Sequence, residues 1–290
     1  MKKAIPWLIF ALIATMACGL SAPATQPSQT NLETAVAETV QALTATAPLS
    51  AVTEIPATEA DGQLTPDGTP LQTAEISFLI PNSVANDATS SMTTEVEYPY
   101  VNPSLGDMPQ HLSIKFNLYA VSNSVYTPRI MIFRADEYSQ YSEMTASTVK
   151  VLQTTQYIDG QPLPDELDTN FTVQIHALDF QNGHGVRYLT QVMQNFGPIT
   201  NDALFYYYQG VTSDNKYFVQ AILPINAAFL PADGNIDTPV PADGVPFNMD
   251  DFPGYLDAVA QKLNSTETYN FNPFLDALDE MIASMQVTGF

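Results

Sequence analysis

From His111 to Tyr119 apolar and polar side chains alternate, and Leu112, Ile114, Phe116 and Leu118 fall on one side. That two-residue period predicts a half-buried strand. Glu75 to Ile80 reads as a first strand, stopped by Pro81-Asn82, and Arg129 to Phe133 as a short apolar strand after Pro128. Further strands are expected at Phe171 to Ala177, Gly185 to Gln194, Ala203 to Val211 and Lys216 to Leu223. Thr212-Ser213-Asp214-Asn215 supplies the residues of a tight turn between the last two. Phe205, Tyr206, Tyr207, Tyr208, Tyr217 and Phe218 crowd these strands, which suggests an antiparallel meander with one face covered.

The period changes elsewhere. Residues 137 to 156 place Tyr138, Tyr141, Val149 and Leu152 at helical spacing. Residues 249 to 264 do so with Phe252, Tyr255, Leu256, Val259 and Leu263. Residues 273 to 286 follow with Phe274, Leu275, Leu278, Met281, Ile282 and Met285, and Pro273 suits a first helical turn. Strands followed by helices predict an α+β fold: a mainly antiparallel sheet with helices packed on it, including two C-terminal helices.

The N-terminal 73 residues read differently. Lys2 and Lys3 precede an apolar run from Ala4 to Ile13, and Ala17-Cys18 follows. A charged start, a short apolar stretch and a small residue at the cut site make a secretory signal, too short to span a bilayer. A cysteine directly after the cut resembles a bacterial lipoprotein signal, in which the thiol is lipidated and becomes the first residue. Thr15 departs from that pattern, which usually has Leu there. Residues 1 to 17 are therefore expected to be the signal, and 18 to 73 a lipidated cysteine with an Ala/Thr/Pro-rich tether that has too few apolar side chains to fold. Within it Leu32, Val36, Val40 and Leu43 recur at helical spacing, a nascent helix or a small docking stripe. Residues 74 to 290 are expected to form one globular domain.

Charge narrows the partners. There are 31 acidic and 9 basic residues, for a net charge of −22. Such a surface repels nucleic acid and anionic headgroups. Cys18 is the only cysteine, so no disulfide within the chain is available and the fold depends on its core.

Chemistry concentrates in Asp179-Phe180-Gln181-Asn182-Gly183-His184-Gly185-Val186-Arg187. Two Asn-Gly and His-Gly steps would permit positive φ twice. A ligand-facing loop here would use Asp179, Gln181, Asn182, His184 and Arg187, with Gln191 and Gln209 contributing amides from neighbouring strands. The plain alternative is a glycine-rich hairpin that exposes a histidine. His111 and His176 read as structural or strand-edge residues. Neither a Gly-x-Ser-x-Gly elbow, nor His-Glu-x-x-His, nor a phosphate-cradling glycine loop occurs. No cofactor is called for, and no metal beyond one weak calcium candidate. That candidate is Asp233, Asp237 and Asp243, in a loop where Leu230-Pro231-Ala232-Asp233-Gly234 recurs as Val240-Pro241-Ala242-Asp243-Gly244. Its competing reading is two turns. The acid pairs Asp250-Asp251 and Asp279-Glu280 read as a helix start and a helix's polar face.

The segments Tyr126 to Phe133, Asp179 to Gln191 and Leu204 to Val219 resemble a family of bacterial surface lipoproteins of unassigned activity, as does the tether. The resemblance implies a location outside the cytoplasm, with the membrane as a partner through the anchor at Cys18. The sheet with terminal helices also resembles secreted α/β/α sandwich modules of the photosystem-accessory type. The expected role is non-enzymatic binding of a ligand or envelope partner, without nucleic acid. The alternatives are a hydrolase with its site near His184 and Arg187, or a tethered envelope scaffold.

Overall fold

Phe205 and Tyr207 point to one face of their strand and Tyr206 and Tyr208 to the other, and all four rings are buried. Both faces of the central sheet are therefore covered, not one. That explains the unbroken apolar run, since a strand with no solvent face has no reason to alternate. A computed structural model describes residues 67–99, 106–154, 160–164, 167, 171–193, 195–235 and 237–290. The signal, Cys18, the tether up to residue 66 and the stripe from Leu32 to Leu43 lie outside these residues.

The central sheet has seven antiparallel strands in the order β3-β4-β5-β9-β8-β7-β6. They are β3 (Asp87–Thr93), β4 (His111–Asn117), β5 (Arg129–Arg134), β6 (Thr172–Phe180), β7 (Gly183–Thr190), β8 (Phe205–Thr212) and β9 (Tyr217–Pro224). A three-stranded sheet orders β1 (Gly68–Gln72), β2 (Ile76–Pro81) and β12 (Gln286–Val287) as β1-β2-β12. β10 (Asn226–Ala227) and β11 (Phe271–Asn272) form a small ladder. The helices are α1 (Ala135–Tyr138), α2 (Glu143–Gln153), α3 (Phe252–Asn264) and α4 (Leu275–Ala283).

One core lies where Ile130, Ile132, Leu189, Tyr206, Tyr208, Val219 and Leu223 meet α3, α4 and the β1-β2-β12 sheet. The other lies where Met131, Phe133, Tyr188, Phe205, Tyr207 and Phe218 meet α1 and α2. The mainly antiparallel α+β architecture with two C-terminal helices on the sheet is thus present.

Several boundaries differ from the sequence expectation for local reasons. Leu118 does not join Leu112, Ile114 and Phe116: β4 ends at Asn117, and Leu118 turns out with φ 51° and 78 % exposure. The helix expected over 137–156 is two helices. Ser142 restarts it through a capping box, its hydroxyl accepting from Thr145 N while Thr145 Oγ1 accepts from Ser142 N, both at 3.0 Å. The last helix stops at Ala283 because Gln286 and Val287 pair with Ser77 and Ile76. β1 falls in the range read as tether, so regular structure starts before residue 74.

Candidate functional site

Alternation along β7 separates the two residues on which the expected ligand loop turned. His184 shares the parity of Val186 and Tyr188, which face α1 and α2, and Arg187 points the other way. His184 Nε2 donates to the Leu152 carbonyl at 3.0 Å, tying the end of α2 to the sheet. Gly183 and Gly185 do not use positive φ. They are glycine because Phe180 and the Tyr208 phenol pack where a Cβ would stand.

Arg187 is 5 % exposed and grips α4. Its Nε donates to Asp279 Oδ1 at 3.2 Å and its Nη2 to Oδ2 at 3.1 Å, while Tyr206 donates to Oδ1 at 2.9 Å. Arg187 Nη1 also donates to the Gln174 carbonyl at the bulge in β6, where Gln174 has φ 54°. Gln174 Nε2 in turn donates to Leu263 O at 2.8 Å, at the end of α3. Burial pushes the Asp279 carboxyl above its usual range, and Arg187 and Tyr206 pull it back only in part. Asp279 is therefore not on a polar helix face. Helical spacing alone does not reveal this, because the inward turn is set by an arginine 92 residues away.

The other residues of the expected loop hold the chain in place. Asn182 accepts from Val287 N at 3.0 Å and donates to Val287 O at 2.6 Å, and Gln181 donates to Ala283 O. Gln191 braces the following loop, accepting from Thr200 N and donating to Pro198 O. Gln209 is buried beside its strand partner Gln220, with no hydrogen-bond partner for Oε1 among the described residues. Asp179 is exposed opposite His184 in register. These residues lie on both faces of the sheet and do not converge on one cavity.

In the expected calcium loop, Asp233 Oδ1 accepts from Asn235 N at 3.0 Å and from Thr238 Oγ1, a turn closed by its own residues. Asp243 pairs with Lys262 at 3.6 Å, and Asp237 is exposed. Among the described residues no three His, Cys, Asp or Glu side chains are grouped closely enough to hold a metal ion.

A second charged knot is built on Glu97. Glu97 takes Lys115 and Arg129 together, the latter at 2.6 Å and 2 % exposed, and Arg129 Nη2 donates to Tyr98 O at 2.8 Å. Burial raises the Glu97 carboxyl, but the Lys115 hydrogen bond and the two positive charges outweigh it, so the group sits below its usual range. His111 is buried alongside, its Nδ1 donating to Pro109 O at 2.9 Å and its ring 4.6 Å from Phe133. Burial pushes its pKa down.

A concavity with a volume of about 590 Å³ lies between α1-α2 and the β8–β9 hairpin. Arg134, Lys150 and Lys216 line it, over Ala135, Val149 and Tyr217. Ala135 N donates to Lys216 O at 2.8 Å, and Gln153 Nε2 reaches Asn215 O at 3.3 Å, so α1 and α2 are joined to the hairpin across the groove. Nothing in the sequence pattern marked it, because its cations come from three separate elements. Comparison with protein-family models, curated proteins and solved structures returns no match.

Proposed function

We propose that the chain is a lipid-anchored, extracytoplasmic binding module. The observation that carries this reading is the single cysteine, Cys18, placed directly after an apolar run with a charged start. No helix among the described residues is long and apolar enough to cross a membrane.

A binding role is favoured over hydrolysis by the way the polar groups are used. His184 binds a backbone carbonyl, Arg187 is held by Asp279, and Gln191 braces a loop. A general base needs its imidazole within reach of a nucleophile and an orienting group. Among the described residues no histidine forms an ion pair with a carboxylate. A partner protein is a second reading, favoured by Phe196 at 72 % exposure packed on Phe252 at 4.9 Å.

Mass spectrometry of protein extracted from membranes tests the anchor. An acylated Cys18 as the first residue is expected. A free Cys18 thiol in a chain recovered from the soluble fraction would overturn the proposal.

A further inference from the structure

Basic residues are scarce in this chain, and where they stand is informative. Of the 9, Lys2 and Lys3 lie outside the described residues, leaving seven. Lys115 and Arg129 are held by Glu97, Arg187 by Asp279, and Lys262 by Asp243. The remaining three, Arg134, Lys150 and Lys216, all line the groove between α1-α2 and the β8–β9 hairpin. Among the described residues of this acidic protein, three of the seven basic side chains thus stand at one concavity, Lys216 and Arg134 with a carboxylate partner on the surface and Lys150 without one.

The three cations are available to a ligand in different degrees. Lys150, in the last turn of α2, is exposed and forms no ion pair among the described residues. Lys216 meets Asp214 at 2.9 Å, but the two side chains are 71 % and 51 % exposed, and such a surface pair contributes little. Arg134 Nη2 donates to Phe290 O at 2.8 Å, and its Nε is 4.0 Å from Glu137, the outer limit of an ion pair. Among the described residues, Asp136 is the carboxylate that lines the groove. The volume, about 590 Å³, is that of a small-molecule site, and Ala135, Val149 and Tyr217 supply an apolar floor.

We propose that this groove binds a small organic oxyanion, a phosphate or carboxylate compound with an apolar body, through Lys150, Lys216 and Arg134. This names the ligand class of the binding module proposed above and rests on that reading for its setting outside the cytoplasm. The guanidinium offers a planar fork to two oxygens, and the two ammonium groups add point charges that adapt to ligand shape. The acidic remainder of the surface repels anions, so binding is confined to this groove and weakens as salt screens it.

The test is isothermal titration of pyrophosphate and of citrate, at low ionic strength, into protein purified from cells expressing the whole chain. Saturable one-site binding of at least one anion is expected, weakened about tenfold in Lys150→Ala and in Lys216→Ala and unchanged in Lys262→Ala. Lys150 and Lys216 are exposed and Lys262 is half-buried over Phe229, and a cooperative unfolding transition confirms that each variant is folded. No saturable binding of either anion overturns the proposal, as does binding that survives both groove substitutions or falls equally in Lys262→Ala. An acylated Cys18 without anion binding removes the oxyanion site and leaves the anchored module. A free Cys18 with anion binding does the reverse.

Discussion

Arg187 and Lys150 are both cations on the sheet layers of one acidic domain, yet they stand in opposite circumstances. Arg187 is enclosed, with two bonds to Asp279 and one to Gln174 O, and it joins β6, β7 and α4. Lys150 is exposed on α2 at the rim of a groove shared with Arg134 and Lys216. An ion pair enclosed in this way is hard to break from one side, because the surviving charge loses its partner where water cannot replace it. An exposed cation costs little to keep or to remove. The density of polar residues in sequence is thus a poor guide to a binding site here. The densest stretch, Asp179 to Arg187, holds the fold together, while the groove draws its cations from distant positions.

The largest expected effect is at the enclosed pair. Asp279→Ala strands the Arg187 guanidinium beside Tyr206 and should lower unfolding free energy by about 3 kcal/mol, read from urea unfolding. A smaller loss, about 2 kcal/mol, is expected for Glu97→Ala, because the Glu97 side chain is 23 % exposed and water can partly replace it.

The two carboxylates should also respond to acid in opposite senses. The folded Glu97 lies below its ordinary value of 4.5, so its contribution is complete above that pH and is lost as pH falls through the folded value. The folded Asp279 lies above its ordinary 3.8, so its ionisation takes stability away as pH rises from there through the folded value. Glu97→Gln should therefore lessen the loss of stability below pH 4.5, and Asp279→Asn should remove the opposing slope. Unfolding curves across pH 3 to 6 check both.

At His184 the expected effect is smaller again. His184→Ala removes the bond to Leu152 O and should cost about 1 kcal/mol, with no change in anion binding in the titration above. The smallest change belongs to the groove: Lys150→Ala should move unfolding free energy by less than about 0.5 kcal/mol.

How much of this was legible in the sequence depended on burial and on chain distance. β4, β5 and β7 to β9 showed because their inward residues are large and apolar. β3, Asp87–Thr93, is a polar edge strand whose sequence DATSSMT carries no hydrophobic period, and β12 is two residues long and follows directly on a helical stripe. β1 is a mixed edge strand, GTPLQ, beside a low-complexity tract. The contacts of Asp279 and Glu97 were hidden for a different reason, since each charge finds its arginine only through the fold, 92 and 32 residues away. The groove was hidden likewise: Arg134 and Lys216 become neighbours because β5 pairs with β9, Arg134 opposite Tyr217.

The most direct measurement sets the two regions side by side. Urea unfolding of wild type, Asp279→Ala and Lys150→Ala would be followed with and without saturating pyrophosphate. Ligand at 100 times its dissociation constant adds about 2.7 kcal/mol to a protein that binds it only when folded. The expected result is a large loss of stability in Asp279→Ala with that gain retained, and in Lys150→Ala an unchanged baseline with about half of the gain lost, as tenfold weaker binding requires. A Lys150→Ala baseline as low as that of Asp279→Ala, or a pyrophosphate gain that Lys150→Ala leaves intact, would contradict the division of these charges into fold-holding and ligand-facing groups.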